Sequence, residues 1–110
     1  HCTKKISKRE KEWLDYLKIP EQNRQINIKV GEKRFKVDAL VDNTIYEFNG
    51  DFWHGNLQVY NKDNINVISK KTFGELNEST LNKANVLKSA GYEVISIWES
   101  DWLKLKKENN

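Results

Sequence analysis

The chain has 110 residues, 32% of them charged, and a formal net charge of +3. That length supports one domain with a modest core, and no apolar run approaches the roughly 18 residues a membrane span requires. A single cysteine, Cys2, excludes an internal disulfide and fits a reducing, cytoplasmic setting.

The opening segment has no signal-peptide pattern, because Lys4, Lys5, Lys8 and Arg9 lead into amphipathic sequence. Beginning at His1-Cys2 without Met, the chain is expected to be a fragment of a longer protein. Ser7-Lys8-Arg9-Glu10 reads as a capping box that starts a helix at Lys8; Trp13, Leu14 and Leu17 share one face, and Pro20 ends it. Ile26, Ile28 and Val30 alternate with polar residues as a strand, and Gly31-Glu32 turns the chain. Phe35, Val37 and Ala39 alternate with Asp38 and Leu40 on a second strand. After a turn at Asp42-Asn43, Thr44 to Phe48 form a third.

Gly55 to Lys71 lacks periodicity and reads as an irregular loop. Thr72-Phe73-Gly74-Glu75 is a second capping box, opening a helix to about Ala90 that Gly91 terminates. Tyr92 to Trp98 reads as a buried fourth strand with Ile95, Ile97 and Trp98 in the core, parallel to a neighbour because a helix precedes it. Ser100 caps a short last helix, and Lys104 to Asn110 are expected to fray. The order is α-β-β-β-α-β-α, an α/β domain with a mixed sheet of about four strands flanked by helices.

Charge is unevenly distributed. Residues 1–36 hold 11 Lys/Arg against 5 Asp/Glu, whereas residues 37–110 hold 8 against 11. A basic arm suits phosphate binding through counterion release, although lysines also serve simply as a soluble surface. Between Val37 and Gly55 stand Asp38, Asp42, Glu47 and Asp51, with no Lys or Arg. Such an excess repels itself unless a cation sits there, and hard divalent cations prefer carboxylate oxygen. Asp is disfavoured inside strands, which marks Asp38, and Glu47 stands in the same position. Asp42 and Asp51 are better explained as turn residues.

The layout of Asp38, then Glu47-Phe48-Asn49, resembles the core of the PD-(D/E)xK nucleases, and Asn49-Gly50-Asp51-Phe52-Trp53-His54 makes the likeness closer. With Trp98-Glu99-Ser100 it is similar to the very short patch repair (Vsr) endonucleases and to the related phage homing endonucleases of the EDxHD type. The likeness runs from Ser7 to about Trp102. It implies a restriction-endonuclease-like fold and Mg²⁺- or Mn²⁺-dependent hydrolysis of duplex DNA. Asp38 would be the central metal ligand, with Glu47 or the carbonyl of Phe48 as the second. His54 would act as base or as donor to the leaving oxygen, and Glu10 would hold metal-bound water. Phe52 and Trp53 would be a wedge between base pairs.

The departures are specific. Asn49 stands where the motif has Lys, and Lys83 on the following helix is the candidate replacement, otherwise a DNA contact. Thr80 falls where Vsr enzymes carry an aspartate near their histidine. Asp51 and Ser100 replace cysteines of a structural zinc, so no zinc is expected. Glu10 also reads as a plain capping residue, with Glu12 its competitor for a catalytic role. Phe52-Trp53 also reads as core, but adjacent aromatics on a turn do not both point inward easily. The expected function is a nuclease catalytic domain, of a homing or mobile-element enzyme whose separate DNA-recognition domain lies elsewhere. A non-catalytic DNA-binding module and a restriction or repair nuclease of the same fold are the alternatives.

Overall fold

A computed structural model describes residues 7–108. Cys2, Lys4 and Lys5 of the basic arm lie outside the described residues. Helix α1 (Lys8–Tyr16) starts where expected, since Ser7 Oγ accepts the Glu10 N–H at 3.0 Å. It ends before Pro20, at Leu17, because Lys18 adopts a left-handed φ of 61°. After a 3₁₀ turn (Glu21–Asn23), strands β1 (Arg24–Val30), β2 (Lys33–Val41) and β3 (Thr44–Asn49) form an antiparallel meander. Gly31 and Asp42, both left-handed, make its two turns.

The segment after β3 is more ordered than the sequence suggests. Asp51–His54 form one helical turn, α2, and the supposed irregular loop holds a small hairpin of β4 (Ile65–Asn66) and β5 (Lys71–Thr72). Helix α3 (Phe73–Ser89) opens on a complete capping box: Thr72 Oγ1 accepts the Glu75 N–H, and Glu75 accepts the Thr72 N–H. Strand β6 (Glu93–Trp98) then pairs parallel to β3, and α4 (Glu99–Glu108) closes the chain.

The sheet is mixed, in the order β1-β2-β3-β6. One face carries Ala39 and Phe48 against Trp13 and Leu14 of α1 and Trp102 of α4. The other buries Ile45 and Val37 with Leu87 of α3. The α/β class and the four-stranded mixed sheet agree with expectation. Two readings are corrected. β6 is an edge strand rather than a buried one, so Ile95 is 40% exposed and outside the core. The last helix stays helical through Lys104–Glu108 because Trp102 is buried and Lys106 pairs with Glu12 of α1 at 2.9 Å. Among the described residues no helix is long and apolar enough to cross a membrane.

Candidate active site

Strands β2 and β3 pair from Val41↔Thr44 to Ala39↔Tyr46, and there the ladder stops. Asp38 and Glu47 stand at the next position. Their carboxylates take up the main-chain donors released by the break. Phe48 N–H donates to Asp38 Oδ2 at 2.7 Å, and Asp38 N–H donates to Glu47 Oε2 at 3.0 Å. Strict alternation also fails here: Val37 and Ala39, two residues apart, belong to different core clusters. Two acidic side chains are therefore fixed at the divergence of two strands by charge-assisted hydrogen bonds.

Glu47 Oε1 lies 2.6 Å from Lys83 Nζ on α3, and that ammonium also donates to the Lys36 carbonyl at 2.8 Å. The Glu47 side chain is only 12% exposed, so water screens this pair weakly. Asn49, at the usual lysine position, is buried. The helix thus supplies the cation that β3 lacks.

Glu10 is buried and its Oε2 accepts from Gln25 Nε2 at 2.9 Å. Ser7 caps the Glu10 backbone N–H, while the Glu10 carboxylate turns to Gln25. Gln25 lies inside β1 between the pairs Arg24↔Ala39 and Ile26↔Val37, across from Asp38, yet its φ is +56°. A left-handed non-glycine residue costs about 1–2 kcal/mol, and such strain persists only where the surroundings enforce it. Here it accompanies a side chain that leaves the strand for the buried carboxylate of α1.

His54 ends α2, with Nδ1 3.1 Å from Thr80 Oγ1 on α3. The Thr80 hydroxyl donates its proton to the Leu76 carbonyl at 3.0 Å. The roles of Nδ1 and Oγ1 follow the ring's tautomer; with Nδ1–H directed at Thr80, Nε2 is the basic nitrogen. Gly55 allows this approach. Its φ is +69°, and a Cβ there would stand 2.2 Å from the Phe73 carbonyl oxygen.

A cleft of about 780 Å³ is lined by Glu10, Phe48, Trp53, His54 and Glu99. A second, of about 100 Å³, is lined by Glu47, Asn49, Thr80, Lys83 and again His54. His54 is the wall between them. The structure links Asp38 to Glu47 and Glu47 to Lys83 by hydrogen bonds, and places His54 with Glu47 and Lys83 on the smaller cleft and Glu10 on the larger one. Among the described residues no group of three His, Cys, Asp or Glu side chains converges as a metal cage.

The aromatic pair is divided. Phe52 makes edge contacts with Tyr60 and Phe73 (centroids 6.0 and 5.8 Å), and Tyr60 stacks on buried Phe73. Trp53 is 55% exposed. Phe52 is half-buried by this packing and still lines the larger cleft, edge-on to Trp53 at 5.0 Å, so Trp53 is the more exposed of the two wedge candidates. Asp51 is more than a turn residue: its Oδ1 accepts from Asn56 Nδ2 at 2.9 Å and from the N–H and hydroxyl of Ser100 at 3.4 Å, tying α2 to α4. Glu99, which also lines the larger cleft, accepts the Asp51 N–H and pairs with Arg9. Gln25 is a residue of this region that sequence reasoning missed, since nothing in the alternation of β1 signals its left-handed backbone, and Glu99 stood out only within Trp98-Glu99-Ser100, without a role.

Comparison of the chain with protein-family models, with curated proteins and with solved structures finds no match.

Proposed function

We propose that this chain is the catalytic domain of a metal-dependent endonuclease acting on duplex DNA, with a restriction-endonuclease-like fold of the Vsr-like branch. The observation that carries the reading is the Asp38–Glu47–Lys83 group at the point where β2 and β3 part. The resemblance to the PD-(D/E)xK nucleases calls for two acids and a lysine at one site. Here the lysine arrives from α3.

The donor set fits Mg²⁺ or Mn²⁺ in kind: the two hard carboxylates of Asp38 and Glu47, with the Phe48 carbonyl as the second ligand the resemblance offers in place of Glu47. Mg²⁺ needs no complete protein cage, since it is commonly held by one or two carboxylates, water and substrate phosphate. When bound, the cation supplies Lewis-acid polarisation of the scissile phosphate. Asp38 and Glu47 would hold it, and Lys83, 2.6 Å from Glu47, would neutralise developing phosphate charge. Glu10, aimed by Gln25, orients water in the larger cleft. His54 moves the proton through Nε2, with Thr80 holding Nδ1. Trp53 meets the bases, and the cations of residues 8–36 meet phosphates. A homing-type or mobile-element enzyme with a further DNA-recognition domain is the setting this reading favours.

One observation favours a second reading. Lys83 already neutralises Glu47, as expected of a DNA-binding module that has lost catalysis. Incubating supercoiled plasmid with the protein in Mg²⁺ or Mn²⁺, with chelator controls, decides between them. The nuclease reading expects chelator-sensitive nicking or linearisation that Asp38→Asn abolishes. Duplex binding without any cleavage in either metal would establish the second reading.

A further inference from the structure

The segment between α2 and α3 contains an unusual turn. Asn66 is completely buried, and its side chain makes three hydrogen bonds to the main chain. Nδ2 donates to the Phe52 carbonyl at 2.9 Å, while Oδ1 accepts the N–H groups of Ile68 and Ser69 at 2.9 and 3.1 Å. Its own carbonyl accepts the Lys70 N–H at 2.7 Å, and Lys70 closes the turn in the left-handed region at φ 65°. This tightly bonded turn holds two aliphatic side chains out in solvent: Val67 is 78% exposed and Ile68 64%.

Isolated exposed apolar residues need no explanation, but two adjacent β-branched ones on a turn fixed by a buried amide are preorganised for contact. The same amide bonds to Phe52, the residue before exposed Trp53, so one polar group links both projecting apolar elements. The surrounding charge identifies the partner. Residues 56–72 carry Lys62, Lys70 and Lys71 against the single acid Asp63, and all three lysines are exposed. Lysine is depleted in protein–protein interfaces, whereas aliphatic side chains flanked by cations suit bases flanked by phosphates.

We propose that the Asn66–Lys70 turn is a second apolar contact with duplex DNA, pressing Val67 and Ile68 against the bases while Lys70 and Lys71 engage phosphates. The proposal rests on the nuclease reading for its partner but uses none of its catalytic residues.

The test measures binding of the full chain to a fluorescent duplex across a salt series, with 2-aminopurine in the strand to report unstacking. Val67→Ser/Ile68→Ser should weaken binding about tenfold, lose the unstacking signal and leave the salt slope unchanged, because only apolar contact is removed. Lys70→Gln/Lys71→Gln should instead lower the slope by about 0.9 for each phosphate no longer neutralised. Both pairs are exposed, and unchanged melting temperatures show that folding is intact. If the wild type binds the duplex and the serine variant binds equally well, the proposal is overturned while the nuclease reading stands. If the wild type ignores the duplex but sediments with vesicles of anionic phospholipid in a Val67- and Ile68-dependent manner, the surface is a membrane contact and the proposal is overturned. No binding to either overturns it together with the DNA reading.

Discussion

At Asp38 the fold and the proposed chemistry meet in one side chain. Its carboxylate accepts the N–H of buried Phe48, so Asp38→Ala would orphan a buried donor at a cost of about 1–3 kcal/mol. Asp38→Asn keeps an acceptor and removes only the charge. It should melt within a few degrees of the wild type yet lose plasmid cleavage by about a thousandfold or more, as loss of a metal ligand removes several kcal/mol from transition-state stabilisation. Near-normal nicking by the folded variant would refute the metal assignment. Lys83→Ala leaves Glu47, 12% exposed, without its cation. We expect a loss of about 1–2 kcal/mol, below the fully buried case because Lys83 is itself partly solvated. Mg²⁺ should then raise the melting temperature of the variant more than that of the wild type, since it fills the same electrostatic role. Equal shifts in a calorimetric titration would argue that the cation binds elsewhere. Phe52 and Trp53 should separate cleanly. Phe52→Ala opens the aromatic cluster, for about 2–4 kcal/mol, whereas Trp53→Ala leaves denaturation nearly unchanged and weakens duplex binding. Equal destabilisation would place Trp53 in the core as well.

Between elements, the contact of α2 with α3 is the most demanding. Gly55 lets the chain pass so close to the start of α3 that any Cβ would collide with main-chain atoms of Phe73 and Asn77. Because backbone cannot step aside as a side chain can, Gly55→Ala should cost about 3 kcal/mol or more and separate His54 from Thr80. A melting curve and the His54 ring signals in NMR would show both effects, and an unperturbed ring would mean α2 is held by other contacts. The elements differed in how plainly the sequence announced them. Capping boxes at Ser7 and Thr72 located two helices, because a cap is a local bond between near neighbours. Alternation located the meander for the same reason. The hairpin of β4 and β5 was invisible, since a ladder of only two residues has no period to detect. Gln25 was equally hidden: its left-handed backbone answers Glu10, 15 residues away. The burial of β6 was overestimated because an apolar run does not tell an edge strand from a central one. Asp38 and Glu47 were legible as misplaced acids and Lys83 as the candidate cation on the following helix, but its meeting with Glu47 depends on where α3 docks.

For the molecule as a whole, acid is the simplest probe of how the helices are fastened. The Lys106 ammonium holds Glu12 below the usual carboxylate range, Lys11 followed by Arg24 does the same for Asp15, and the Thr72 main chain does so for Glu75. Each group has a lower pKa folded than unfolded. Their contribution is therefore complete above the unfolded values, near pH 4, and is lost as pH falls through the folded ones. Urea midpoints should be flat from pH 7 to about 5 and decline below pH 4, and high salt should blunt the decline because these groups are exposed. Midpoints that rise on acidification would contradict the assigned sign.

The parallel pairing of β3 with β6 has a kinetic consequence. Strands β1 to β3 are joined by tight turns and can pair by closing short loops, so Asp38 and Glu47 can become neighbours early in folding. Lys83 and His54 belong to the long crossover between β3 and β6, and such connections close slowly. A chain emerging from the ribosome would hold its two acids together for some time before receiving the lysine and histidine. On the nuclease reading, a nascent chain is inactive until that crossover closes, and only finished copies cut DNA.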